Sequence, residues 1–258
     1  MNILLAFKAE PDLSMLSETD WQASARSGTG PDRTLMRAVM GNDEQGAAEL
    51  MLLARETNPA LELSAVTIGD ERALPGLRNL AALGFSRQTL LLSPDDLRFS
   101  STFVAEQLAT QARENTAQLV LLGSQSSEGQ NGQTAWLLAE MLGWPCLSSV
   151  RGLRVDGDGF TVECEDQHQH SLWHIDRPAV LRVSNHGQMA LRVPGMRARL
   201  AAAKADIEQR QCDAAVSAIS CLRLERHIAR RSGIIINEPA KQAAQRLWND
   251  YLAQRVQP

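Results

Sequence analysis

The sequence predicts a doubly wound, mostly parallel α/β sheet with antiparallel additions and a C-terminal helical arm. Three observations predict it. Short apolar runs alternate four times with helical stretches over the first 142 residues. The runs are continuously apolar rather than alternating, as expected of parallel strands covered on both faces. Beyond Pro145 the pattern changes to short, partly alternating segments joined by turn residues.

Taken in order, residues 3–7 form an apolar run that reads as a buried strand. Residues 11–30 are polar, with Ser, Asp, Gly and Pro scattered through them, and read as a long loop with room for a small hairpin. Residues 43–57 read as a helix: Asp43 and Glu44 stand in its first turn, and Asn58-Pro59 stops it. A strand over 61–68 ends at Gly69-Asp70, and a helix over 73–83 is closed by Gly84. Residues 89–92 are a strand and 100–114 a helix capped by Ser100 or Ser101. Residues 119–122 form a wholly apolar strand that runs into Gly123, and the helix over 134–142 stops at Gly143-Trp144-Pro145. Crossovers between parallel strands are right-handed by default. Ligands in such sheets sit at the carboxyl ends of the strands, where the strand order switches.

Segments 150–155, 160–165 and 171–175 read as antiparallel additions, with Asp156-Gly157-Asp158-Gly159 as a turn between the first two. Residues 179–183 return to an apolar strand. Residues 196–210, rich in Ala, Lys, Arg and Glu, read as a helix following Pro194-Gly195. A last helix over 241–255 carries Leu247, Trp248, Tyr251 and Leu252 on roughly one face. The expected organisation is an α/β domain over 1–210 and an arm over 211–258 that docks on its own body or on a partner.

Composition narrows the class. The chain has 258 residues, 44% hydrophobic and 22% charged, which suits a soluble globular protein. A net charge of −4 argues against a nucleic-acid binder. The start has no basic leader, and no apolar run approaches the roughly 18 residues needed to cross a bilayer. The four cysteines, Cys146, Cys164, Cys212 and Cys221, form no Cys-x-x-Cys pair. A cytoplasmic protein with reduced thiols is the expectation.

The chemistry concentrates in the stretch from Gly123 to Thr134, which leaves a buried strand and opens a helix. Gly123, Gly129 and Gly132 allow close backbone approach, and Gln125, Ser126, Ser127, Glu128, Gln130, Asn131, Gln133 and Thr134 supply polar groups. Unpaired amides and the helix dipole favour an anion at such a terminus. A polar loop capping an ordinary helix is the competing reading. The stretch is neither a Walker loop nor a Gly-x-Gly-x-x-Gly fingerprint, and no Gly-x-Ser-x-Gly elbow occurs. No catalytic constellation is found.

The run Gly123, Gln125, Glu128, Gln133, Thr134 and then Gly143-Trp144-Pro145 resembles the nucleotide loop of the electron-transfer flavoprotein beta subunit (FixA) family. Lys8, Pro11 and Asp12 resemble the family's opening turn. Asn42-Asp43-Glu44 resembles its Asn-Pro-x-Asp-Glu helix start, and Leu80-Ala81-Ala82-Leu83-Gly84 its alanine-rich helix. Pro178-Ala179-Val180 and residues 201–204 match later landmarks, so the resemblance spans roughly 1–210. Asp43 stands where the family has Pro, Glu128 where it has Asp and Ala135 where it has Gly, and Asn131 and Gly132 also differ from common patterns.

The resemblance implies an adenine-nucleotide α/β domain that pairs with a larger alpha subunit. The alpha subunit holds most of an FAD, and this subunit buries an AMP or a second FAD. The complex carries electrons from a dehydrogenase to an acceptor. The implied site comprises Ala6, Lys8, Asn42, Val66, Ile68 and Gly123 through Thr134. Two other functions compete: a stand-alone ATP- or AMP-binding sensor, and, ranked last for want of a base, a hydrolase or ligase acting on adenylates.

Other candidates have blander readings. His168, His170 and His174 suit a solvated strand edge better than a metal site. Arg223, Arg226, Arg230 and Arg231 suit a solvated or interface face. Trp136 reads as core, Trp144 as packing at a turn, and Cys146 as a small buried thiol.

Overall fold

The central strand of the sheet is the first one in the chain, β1 (Asn2–Ala6). Its apolar residues point alternately to the two faces, and each face is covered by a different pair of helices. A computed structural model describes residues 1–27, 31–32, 34–127, 131–185, 189–213, 215, 233–253 and 255. It divides into two units, Met1–Leu224 and Glu225–Pro258.

After β1 come β2 (Ala9–Pro11), α1 (Glu18–Ser27), β3 (Ala38–Met40) and α2 (Asn42–Thr57). Then follow β4 (Glu62–Gly69), α3 (Leu74–Ala82), β5 (Arg87–Leu92), α4 (Ser101–Glu114), β6 (Leu119–Gly123) and α5 (Thr134–Leu142). The chain continues with β7 (Cys146–Asp156), β8 (Gly159–Glu165), β9 (His170–Ile175), β10 (Ala179–Val183), α6 (Met196–Ala202) and β11 (Glu208–Gln211). α7 (Ala240–Leu247) lies in the second unit.

One sheet has the order β11-β5-β4-β1-β6-β10-β7-β8-β9. From β11 to β7 all pairs are parallel; β8 and β9 add antiparallel strands at one end. The chain builds outward from β1 through β4 to β5, then returns to place β6 on the other side of β1. The crevice between β1 and β6 is therefore the switch point.

Packing follows the strand period. Ile3 and Leu5 join Met51, Leu77, Leu80, Leu119 and Leu121 on the α2/α3 face. Leu4 and Ala6 join Leu108, Val120, Leu122 and Leu138 on the α4/α5 face. α5 closes at Gly143, whose φ of 68° is the left-handed cap that glycine adopts without strain. β7 ends at Asp156 and β8 starts at Gly159, with Gly157 at φ 60° in the two-residue turn. Trp144 packs against the α4/α5 core as expected, and Cys146 is half-buried beside it.

Three sequence expectations need correcting. The helix expected over 196–210 stops at Ala202, and Glu208–Gln211 instead pairs in parallel with β5. An open sheet edge outweighs local helix propensity there. Glu208 ion-pairs with Arg87 and Arg210, and Ile207 is buried in the core. The expected loop over 11–30 contains helix α1. The Ser17 hydroxyl accepts from the Asp20 amide at 3.3 Å, and the Ser17 amide donates to the Asp20 carboxylate at 3.0 Å. That reciprocal cap was present in the sequence as Ser17-x-x-Asp20. No hairpin lies within the described residues of 12–30; the antiparallel pair nearby, β2 with β3, flanks that stretch instead. Trp136, expected in the core, is 48% exposed.

β9 is the outer strand of the sheet; His170 and His174 lie exposed on it beside Glu163 and Asp156. The arginine cluster 223–231 lies outside the described residues. In the second unit, α7 runs into a π-helical turn at Trp248–Leu252. Leu247, Trp248, Tyr251 and Leu252 are exposed. Among the described residues no helix is long and apolar enough to cross a membrane.

Leu121 is fully buried next to the central strand. Leu121→Ala should cost about 2–5 kcal/mol. Urea unfolding should show a lower midpoint at unchanged slope.

Candidate functional site

A cleft of about 760 Å³ opens over the carboxyl ends of β1, β4, β5 and β6. Its size is in the range of small-molecule and cofactor sites. One wall is the loop leaving β6; the opposite wall is formed by residues 69–73 and 93–98, which follow β4 and β5.

The loop after β6 is held by two carboxylates from distant segments. Asp43, in the first turn of α2, accepts from the amides of Ser124 at 3.2 Å and Gln125 at 3.3 Å, and from the Ser124 hydroxyl. Its other oxygen accepts from the Asn185 amide at 2.8 Å. Glu10, on β2, accepts from the amide and hydroxyl of Ser127 at 2.8 and 2.6 Å. Arg182 on β10 donates to the Ser124 carbonyl at 3.0 Å, beneath Gly132. The amides of 124, 125 and 127 are thus satisfied by the protein itself. At the start of α5 the Gln133 amide donates to the Asn131 side-chain oxygen at 3.4 Å, Gln133 makes no side-chain cap bond of its own, and Gly132, Thr134 and Ala135 line the cleft.

The cleft's basic side chains, Lys8, Arg37, Arg72 and Arg98, are each paired with an acid. Lys8 bridges to Glu10 at 3.0 Å, Arg72 to Asp70 and Arg98 to Asp96, each at 2.5 Å. Burial pushes the Glu10 carboxyl up, yet the Ser127 hydroxyl, Lys8 and the Ser127 amide together hold it below the usual range. Glu44 has less help. It is 6% exposed, lines the cleft, and its Oε2 has no hydrogen-bond partner among the described residues. It is wedged between Gly41 and Gly123; a methyl group on Gly123 would lie 2.6 Å from its Cδ. Burial pushes its pKa up to about 7; its own amide and Lys8 oppose the rise, while Glu10 and Asp43 add to it.

The structure brings most of the sequence-predicted residues together. Ala6, Lys8, Ile68, Gly123, Gln125, Ser126, Asn131, Gly132 and Thr134 all line the cleft. Gln133 stands at the helix cap, its side-chain amide oxygen accepting from the Ser101 hydroxyl at 3.2 Å. Ser127 is turned to Glu10. Val66 is wholly buried, its carbonyl accepting from the Phe7 amide at 3.1 Å. Asn42 starts α2, its carbonyl accepting from Asn185 at 2.8 Å. Glu128, Gly129 and Gln130 lie outside the described residues. The reading of the sequence missed Glu10, Asn185, Arg182 and the wall at 93–98. It saw Asp43 and Glu44 as helix-start acids and gave them no further role.

Residues 42–215, which include the cleft's loop, α5 and most of the sheet, match the family model of the electron transfer flavoprotein domain. The chain belongs to the electron transfer flavoprotein domain family. YgcR, a candidate electron transfer flavoprotein subunit of Escherichia coli (strain K12), is 48% identical over 259 residues, covering the whole of both chains. The electron transfer flavoprotein subunit beta of Mycobacterium bovis is 29% identical over 217 residues, 80% of this chain and 77% of that one. The corresponding subunit of Bradyrhizobium diazoefficiens is 29% identical over 154 residues, 60% and 61% of the two chains. Membership carries the coarse role, that of an electron transfer flavoprotein component.

Glu44 sets a pH dependence whose sign can be worked out. Its folded pKa, about 7, lies above the ordinary 4.5. The folded state therefore keeps a proton that the unfolded chain has released, and stability falls as pH rises from about 4.5 to about 7. The loss is on the order of 3 kcal/mol. Glu44→Gln should match the unsubstituted chain in urea unfolding at pH 5 and exceed it at pH 8.

Proposed function

We propose that the chain is the beta-type subunit of an electron transfer flavoprotein, binding the adenylate of an AMP or FAD in the cleft between β1 and β6. The observation that carries this reading is the uncapped start of α5 facing a cleft at the sheet's switch point, in a chain of this family.

The residues suit an adenylate. The amides of α5's first turn and the Thr134 hydroxyl would hold a phosphate, with the helix dipole adding to the attraction. Ala6 and Ile68, at the ends of β1 and β4, offer apolar surface for a base. Gly132, at φ 60°, brings the backbone close without a side chain. Lys8 is bound to Glu10, so its ammonium supports the loop and adds a positive charge at one remove.

In this reading the subunit is an electron carrier, not an enzyme. It pairs with an alpha subunit that holds most of a shared FAD, and receives electrons from a dehydrogenase. A bound flavin supplies the redox chemistry; this chain contributes binding, orientation and exclusion of water. The arm 211–258, with its exposed Leu247, Trp248, Tyr251 and Leu252, is the segment that docks on the alpha subunit. Free thiols at Cys146, Cys164 and Cys212 support a reducing, cytoplasmic setting.

Co-expression with a flavin-bearing alpha subunit should give a yellow complex. Mass spectrometry of released ligands should find FAD and an adenine nucleotide in it. A colourless chain that forms no complex overturns the reading. Thr134→Val removes one hydroxyl at constant volume and should weaken AMP binding by roughly fivefold, about 1 kcal/mol, measured by calorimetry.

A further inference from the structure

The cleft holds one carboxyl whose role the reading above leaves open. Glu44 is more than nine-tenths buried, yet it lines the cleft and its Oε2 has no donor among the described residues. The neighbouring carboxylates are different. Glu10 is supplied by Lys8 and Ser127, and Asp43 by three amides and a hydroxyl. A buried carboxyl oxygen without a donor is costly. In the unliganded protein that cost shows as a pKa pushed up to about 7. A ligand that brings hydroxyl or amino donors removes it.

Position separates these two donor types. The carboxyl rests on Gly123, and Gly132, at the start of α5, lies within contact of Ser124, the next residue along. A phosphate on α5's first turn puts the sugar, not the base, beside Gly123. Ribose hydroxyls there can supply the donor that Oε2 lacks. The soft terminal torsion of a glutamate lets the carboxyl turn to meet them. Gly41 and Gly123 leave room for it, since a Cβ at either position would overlap the carboxyl.

We propose that Glu44 is a specificity-determining residue that reads the ribose of the bound nucleotide, its carboxylate accepting hydrogen bonds from the sugar hydroxyls. This rests on the nucleotide reading given above. Hydrogen bonds to a charged acceptor discriminate by about 1.5–3 kcal/mol, so loss of a hydroxyl should be felt strongly.

Calorimetry on the purified full chain with four ligands tests it: AMP, 2′-deoxy-AMP, 3′-deoxy-AMP and inosine monophosphate. AMP should bind at least tenfold more tightly than one or both deoxy analogues. Glu44→Gln should shrink that preference to under threefold, while leaving the ratio of AMP to inosine monophosphate unchanged. Equal affinity of the unsubstituted chain for AMP and both deoxy analogues overturns the assignment with nucleotide binding intact. So does a Glu44→Gln effect confined to the base ratio, which would make Glu44 a reader of the base. If Glu44→Gln fails to fold, as judged by circular dichroism, the sugar series on the unsubstituted chain decides by itself. Absence of binding by AMP overturns the nucleotide reading and this assignment together.

Discussion

Asp43 ties together the two halves of the sheet. Its carboxylate accepts from Ser124 and Gln125, which leave β6, and from Asn185, two residues beyond β10. Asn185 in turn donates to the carbonyls of Asn42 and Met189 and accepts from the Met189 amide. One side chain at the start of α2 thus fixes the ends of two neighbouring parallel strands. Backbone amides that leave a strand into a buried loop must find acceptors. Here the acceptors are internal and charged, which makes these bonds stronger than neutral ones. The crevice is consequently braced by the protein itself, with Glu10 doing the same for Ser127 three residues further on.

That bracing divides the polar loop into two parts with different jobs. The amides of Ser124, Gln125 and Ser127 are spent on the carboxylates of Asp43 and Glu10. Residues 132–135 keep an uncapped helix start toward the cleft. Sequence composition does not distinguish the parts, because both are rich in Ser, Gln, Asn and Gly. The difference is made by Asp43, which is 81 residues away from Ser124, and by Glu10, 117 residues away from Ser127. Such pairings are a product of topology. The elements themselves were readable: β1, β4, β5 and β6 and every helix from α2 to α5 follow from apolar runs, amphipathic spacing and Gly or Pro stops. Reading failed where tertiary context overruled propensity, at β11, and where a short signal was passed over, at the Ser17–Asp20 cap. Trp136 failed for another reason: an aromatic residue inside a helix says nothing of which side faces the core unless the phase of its neighbours is followed.

Electrostatics in the cleft follow the same logic. Lys8, Arg72 and Arg98 each stand within 3.0 Å of an acid. Pairing of this kind cancels much of the long-range field a row of cations would make. An anion arriving here would be attracted by backbone amides and a helix dipole more than by free side-chain charge. These are short-range and directional, and they fall off within a turn of the helix. A site built this way selects by geometry, and its affinity should depend only weakly on salt compared with one built from unpaired lysines.

Glu44 is the exception that gives the cleft its polarity. Every other acid discussed in the crevice has its donors; this one is buried with an unpaired oxygen between two glycines. Replacing it by an apolar residue would stabilise the empty protein, because the cost of an unsatisfied buried carboxyl disappears. Keeping it therefore makes physical sense only if the working state differs from the empty one. A ligand donating to Glu44 converts the least favourable group in the cleft into a satisfied one, and the free energy recovered adds to binding.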